Sequence, residues 1–223
     1  MSAKGTLIVF EGIDGSGKST QFDLLCSKLK DRGTDFRRLS FPRYTKPSSA
    51  LIQMYLGGEF GTDPDAVNPY AASSFFTVDR IASYLQDWKD YFDQGGLILT
   101  DRYTTSNAIH QGAKLPSDKR EHYYKWLYEY EFELIALPKP TTVIYMDIDA
   151  ELSLKRLALR QAQTGTTGDI HERDKDYLTQ SSQSGRQAAD FYAWKKISCS
   201  DGGYEFSVDE IHEKVMELLG FTT

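Results

Sequence analysis

Cysteine is scarce in this sequence. Of 223 residues only Cys26 and Cys199 carry a thiol, far apart and without metal-site spacing. That excludes a disulfide-stapled secreted scaffold and a zinc module, and two reduced thiols in a cytoplasmic protein are expected. Long apolar runs are missing too. Stretches such as Leu7-Ile8-Val9-Phe10 and Val143-Ile144-Tyr145-Met146 stop at four residues, so no membrane span is expected. An excess of positive charge is also lacking: 26 Lys and Arg face 32 Asp and Glu, for a net charge of −6. That balance speaks against a nucleic-acid partner, although a local basic cleft can still hold phosphates. Met1-Ser2-Ala3-Lys4 leads directly into a strand-like run, so no secretion signal is expected. Without repeats, linkers or low-complexity blocks, the chain reads as a single domain over 1–223.

What the chain does have is strands alternating with helices. Buried strands are predicted at Thr6 to Phe10, Asp35 to Phe41, Leu97 to Thr100 and Thr142 to Asp147, with a short one at Ile197-Ser198-Cys199. Phe22, Leu25, Cys26 and Leu29 fall at i, i+3, i+4 and i+7, the apolar face of a first helix that Gly33 stops. Two aromatic stretches, about 69–93 and 118–137, read as helices, as do 152–163 and 177–195. Ser207 and Glu210 have capping-box spacing and open a final helix. The polar stretch Thr164 to Asp169 reads as a loop. This order implies an α/β fold, a parallel sheet with helices on both faces.

Gly12-Ile13-Asp14-Gly15-Ser16-Gly17-Lys18-Ser19 matches G-x-x-x-x-G-K-[ST], between a strand and a helix. Glycines there let backbone N–H groups close around phosphate oxygens, and the helix adds its positive end. Lys18 can reach the outer phosphates and the Ser19 hydroxyl can hold Mg²⁺. The loop and Thr20 therefore form an expected ATP site. A GTP switch would need Asn-Lys-x-Asp, but Asn68 is followed by proline and Asn107 by alanine. No strand ends in the Asp-Glu of a large mechanical ATPase. A small kinase remains.

Several further pieces, in order and spacing, resemble the thymidylate kinase family. They are Phe10 to Gln21 around the phosphate loop; Phe41-Pro42-Arg43-Tyr44; Phe76-Thr77-Val78-Asp79-Arg80; Asp101-Arg102-Tyr103 with Ser106-Asn107; and Asp169-Ile170-His171-Glu172. The resemblance implies a P-loop NTPase-like fold with a lid at about 156–174. It implies transfer of phosphate from ATP to dTMP, Mg²⁺ held by Ser19 and Asp101, and a homodimer paired through the aromatic helices. Its dTMP site would comprise Asp14, Arg43, Tyr44, Phe76, Arg80, Arg102, Ser106, Asn107, His110 and Gln111. In that site Phe76 stacks on the base and Arg80, four residues on, donates to a base carbonyl. Asn107 reads the base edge, Arg43 and Arg102 clamp the monophosphate, and Asp14 meets the sugar 3′-hydroxyl. His110 stands where relatives usually carry an aromatic residue near the sugar 2′ position.

The family draws a charge-stabilising arginine from the P-loop or the lid. Gly15 follows Asp14, so the lid must supply it, with Arg160 ranked first, then Arg156, then Arg173. Three readings stay open at this stage: a dTMP kinase, a P-loop kinase for another pyrimidine nucleotide or a deoxynucleoside with Glu11 as base, and a non-catalytic nucleotide-binding module.

Overall fold

The computed structural model of the protein describes residues 4–164, 175–201 and 203–221. In chain order the elements are β1 (Thr6–Glu11), α1 (Lys18–Asp31), β2 (Arg37–Ser40), α2 (Ala50–Leu56), α3 (Pro69–Ser83), α4 (Lys89–Asp93), β3 (Leu97–Asp101), α5 (Thr104–His110), α6 (Ser117–Tyr128) and β4 (Thr142–Asp147). There follow α7 (Ala150–Thr164), α8 (Lys175–Phe191), β5 (Lys195–Ser198), the small hairpin β6 (Ser200–Asp201) and β7 (Tyr204–Glu205), and α9 (Val208–Leu218). The main sheet runs β2-β3-β1-β4-β5, every neighbouring pair parallel. β1 has β3 on one side and β4 on the other, so the crevice beyond its carboxyl end is a topological switch point, where such sheets bind ligands.

The expected strands and the main helices form close to their predicted positions, with α8 ending at Phe191, before residue 195. The two long aromatic helices are interrupted. The first passes from α3 through a π-turn, Tyr84–Trp88, into α4; the second leaves α6 through another, Glu129–Leu134. Helices α2 and α5 escaped the sequence reading. They are only seven residues each, and α5 (Thr-Thr-Ser-Asn-Ala-Ile-His) consists largely of weak helix formers, so packing makes it a helix. The final helix has the expected capping box, with Ser207 and Glu210 each bonding the other's backbone N–H. Residues 165–174, most of the expected lid and its loop, lie outside the described residues.

One core joins α1, β1, β4 and α9. Phe10, Phe22, Leu25, Ile144, Met146 and Val215 are all completely buried in it. Phe10 and Phe22 meet edge to face with centroids 5.6 Å apart, tying the helix after the phosphate loop to the strand before it. A second cluster packs Leu7, Val9, Trp88, Ile98 and Tyr103 on the other side of the sheet. Among the described residues, no helix is long and apolar enough to cross a membrane. Phe22→Ala should lower unfolding free energy by about 3–5 kcal/mol, because the cavity opens where little can collapse. Urea denaturation followed by circular dichroism measures it; a loss below ~1 kcal/mol would contradict this packing.

Candidate active site

The phosphate loop leaves β1 at Glu11 and enters α1 at Lys18, with positive φ at Gly12 (154°), Gly15 (78°) and Gly17 (84°). A Cβ on Gly15 would stand 2.7 Å from the Ser153 carbonyl of α7, so a P-loop side chain at this position has no room. The α7 helix closes directly over the loop. The Ser153 hydroxyl donates to the Asp14 carbonyl, and Arg156 Nη1 lies 3.4 and 3.3 Å from the carbonyls of Gly15 and Ser16. The Arg156 guanidinium is also held by Glu205 of β7, at 2.8 and 2.5 Å.

Phe10 and Asp101 are register partners, which brings the end of β3 beside the loop. Lys18 Nζ donates to Asp101 Oδ1 at 2.8 Å and the Ser19 hydroxyl to Oδ2 at 2.9 Å. Burial alone would raise the Asp101 pKa, but Lys18, Arg102 and these hydrogen bonds outweigh it and hold the carboxyl below its ordinary value. Arg102 follows with φ 67°, a left-handed backbone uncommon for a side-chain-bearing residue and typical of strained functional sites. That turn directs its guanidinium to Asp14, to Ser106 at 3.3 Å, to His110 Nε2 at 2.9 Å and toward Glu11 at 3.5 Å. Burial works against its charge, yet Asp14, Glu11 and Asp101 push its pKa above the ordinary guanidinium value. A guanidinium only donates, so His110 Nε2 accepts and the ring proton sits on Nδ1.

A cleft opens beyond these groups. Asp14, Tyr44, Phe76, Arg80, Arg102, Ser106, Asn107, His110 and Gln111 all line it, with Phe41, Pro42, Leu56 and Tyr103. Nine of the ten residues expected for an acceptor site are thus brought together. Arg43 is the exception. Its backbone N–H and Nε bond the Asp79 carboxylate at 2.8 and 3.1 Å, Nη1 pairs with Asp87, and Nη2 reaches Ser48 at 3.0 Å. Two acids, a hydroxyl and the Asp79 carbonyl engage all three nitrogens of the fork, and Arg43 is not among the residues that line the cleft. Of the expected lid arginines, Arg156 is at the phosphate loop; the side chain of Arg160 and all of Arg173 lie outside the described residues.

Two buried carboxylates were not read as organising residues. Glu11, fully buried, accepts from Gly12 N at 3.0 Å, the Thr105 hydroxyl at 2.7 Å and the Ser106 hydroxyl at 2.8 Å. Burial raises its pKa, and the nearby Arg102 and Lys18 charges do not cancel that effect. Glu131, on the second π-turn, pairs with Arg80 through both Nε, at 2.9 Å, and Nη2. Spacing held no signal for Glu131, because it lies 51 residues from its partner.

The sequence model of the family described as Thymidylate kinase matches residues 10–211. Thymidylate kinase of Mycobacterium tuberculosis is 32% identical over 174 residues, covering 76% of this chain and 79% of the relative. That of Caenorhabditis elegans is 30% identical over 163 residues, covering 69% and 67%. Among solved structures, thymidylate kinase from Candida albicans superposes with a TM-score of 0.72 at 24% identity, over 99% of this chain and 93% of that one, a likeness in fold. Matched over most of its length by profile and by relatives, the chain belongs to the thymidylate kinase family.

Proposed function

We propose that the two sides of the switch point divide the family's reaction, ATP plus dTMP giving ADP plus dTDP. The donor binds on the phosphate loop, its base entering the cleft lined by Gly17, Thr20, Gln21, Arg156 and Phe206. The acceptor binds in the cleft of Phe76, Arg80, Asn107 and Arg102. Arg102 carries the reading, because a charged fork held between the phosphate loop and α5 is positioned to bridge the two substrates' phosphates. Arg80 and Asn107 meet the base, Phe76 stacks on it, and Asp14 takes the sugar hydroxyl.

Asp101 and Ser19 present hard oxygens 2.9 Å apart, with the carboxyl held ionised, a donor set suited to Mg²⁺ shared with nucleotide phosphates. Bound there, the ion would offset charge on the donor phosphates. The acceptor phosphate oxygen is already anionic and needs no general base. Positioning and charge stabilisation supply the rate. A nucleoside acceptor would need such a base, and Glu11 is committed to Gly12, Thr105 and Ser106. A non-catalytic binding module would have no use for the arginines of the acceptor cleft. ADP formation should be fastest with dTMP, with CMP and thymidine at least about a hundredfold slower in kcat/KM. Equal turnover with thymidine would overturn the assignment.

With Gly15 closed off by Ser153, the transition-state charge is met from α7. Arg156 now leads, because it already lies against the Gly15 and Ser16 carbonyls; Arg160, ranked first from the sequence, becomes second. The better of Arg156→Met and Arg160→Met should slow the chemical step by about a hundredfold or more in single-turnover assays, leaving dTMP affinity nearly unchanged. If both stay within about tenfold of wild type, α7 is not the source of that charge.

The first of the two aromatic helices stays the face proposed for the dimer, though most of its rings point inward. Trp88, Phe92, Tyr123 and Tyr124 fill the protein's own core, whereas Val78 and Leu85, seven apart across α3 and its π-turn, are 49% and 62% exposed. Pairing through that face would cover them. Sedimentation at micromolar concentration should give twice the chain mass for wild type, shifting toward one chain in Leu85→Glu. Both cysteines are free and buried, which supports the expected cytoplasmic setting.

A further inference from the structure

Glu131 takes no part in the reaction as described, yet its carboxylate gathers five donors from two helices. Oε1 accepts from the Thr77 hydroxyl at 2.9 Å, from Asn107 Nδ2 at 3.4 Å and from Arg80 Nη2. Oε2 accepts from Arg80 Nε at 2.9 Å and the Thr104 hydroxyl at 2.6 Å. The residue is fully buried, and the π-turn over 129–134 is what aims it inward between α3 and α5. Both side chains assigned to the base, Arg80 and Asn107, are therefore held by the same group.

That grip fixes which atoms are left to face the cleft. Arg80 spends Nε and Nη2 on Glu131, while Nη1 makes one long contact, 3.4 Å, to the Tyr103 carbonyl. An N–H on Nη1 is left over. The Asn107 amide has two acceptors on one side, Glu131 and the Ser73 carbonyl at 3.3 Å, so its NH₂ must face them. Its Oδ1 remains. The cleft is thus offered one donor and one acceptor. A 4-oxo pyrimidine answers that pair, since O4 accepts and N3–H donates. A 4-amino pyrimidine presents the reverse, a donor at N4 and an acceptor at N3.

We infer that Glu131 is a positioning residue that sets the polarity of base reading, and with it the preference for 4-oxo over 4-amino pyrimidine monophosphates. This rests on the assignment of Arg80 and Asn107 to the base. A neutral glutamine at 131 keeps the shape but replaces one acceptor with a donor, which releases the Asn107 amide to turn over. Glu131→Gln should raise KM for dTMP and lower the dTMP-to-dCMP ratio of kcat/KM at least about tenfold, with KM for ATP within about twofold. Thr104→Val, which removes one donor to Oε2 and leaves the charge pair, should shift the ratio in the same direction to a smaller extent. It decides the matter if the glutamine variant does not fold.

An unchanged ratio, or equal rises in KM for ATP and dTMP, would overturn the inference. Arg80→Lys and Asn107→Ala in the same assay separate the two layers. If they raise KM for dTMP and the Glu131 and Thr104 variants do not, only the role of Glu131 falls. If they leave it unchanged, the base-reading assignment and the inference fall together.

Discussion

Two cations among three carboxylates, at the carboxyl ends of β1 and β3, are the arrangement on which the site depends. Lys18 and Arg102 sit between Glu11, Asp14 and Asp101, and each acid is supplied by a different feature: a strand end, a glycine loop and a second strand end. In bulk water such pairs contribute little, but here burial makes an unpaired charge costly, so the groups hold one another in place. The parallel register brings this about. Phe10 opposite Asp101 sets the phosphate loop beside the β3 turn, and the Arg102 N–H closes onto the Phe10 carbonyl at 3.0 Å.

The same device recurs one layer out. Arg80 is held by Glu131 and Arg43 by Asp79, each acid reaching from another part of the chain or another turn of helix. Arginine serves these places because a planar fork can spend some donors on its supporting acid and keep others for a ligand. Fixing each fork beforehand reduces the ordering that substrate binding must otherwise impose. Arg43 shows the limit of the device, since Asp79, Asp87 and Ser48 between them engage every nitrogen of its fork.

How much of this could be read from the sequence follows from how local each feature is. The phosphate loop was legible because its geometry lies within eight consecutive residues. Phe76 and Arg80 were picked out by the family resemblance, their i, i+4 spacing putting both on one face of α3, and the capping box at Ser207 was legible through i, i+3. Glu131 was not, because a π-turn breaks helical phase and because its partners lie 24 to 54 residues away. The clamp role of Arg43 came from the family resemblance; the acids that hold its fork come from α3 and the first π-turn, which only the fold brings near. Arg156 was ranked second on distance from a loop. What puts it first is the packing of α7 against Gly15, a contact between residues about 140 apart.

The absence of a side chain at Gly15 and the path of the chain beyond α7 belong to one arrangement. α7 occupies the space a side chain at Gly15 would need and sets Arg156 against the Gly15 and Ser16 carbonyls. α8, the next described element, binds the acceptor helix instead. Its Tyr177 hydroxyl donates to the His110 carbonyl at 2.6 Å, and its Ser184 hydroxyl to the Ala108 carbonyl at 2.9 Å. Arg120 of α6 ties the turn after α5 to the same helix through Gln180 and Gln187, at 2.7 and 2.8 Å. The segment 165–174 therefore joins in sequence a helix fastened to the donor loop and one fastened to the acceptor cleft. In the proposed reaction Arg156 and Arg102 serve the two sets of phosphates from differently anchored parts of the chain, and phosphoryl transfer requires their separation to be held fixed.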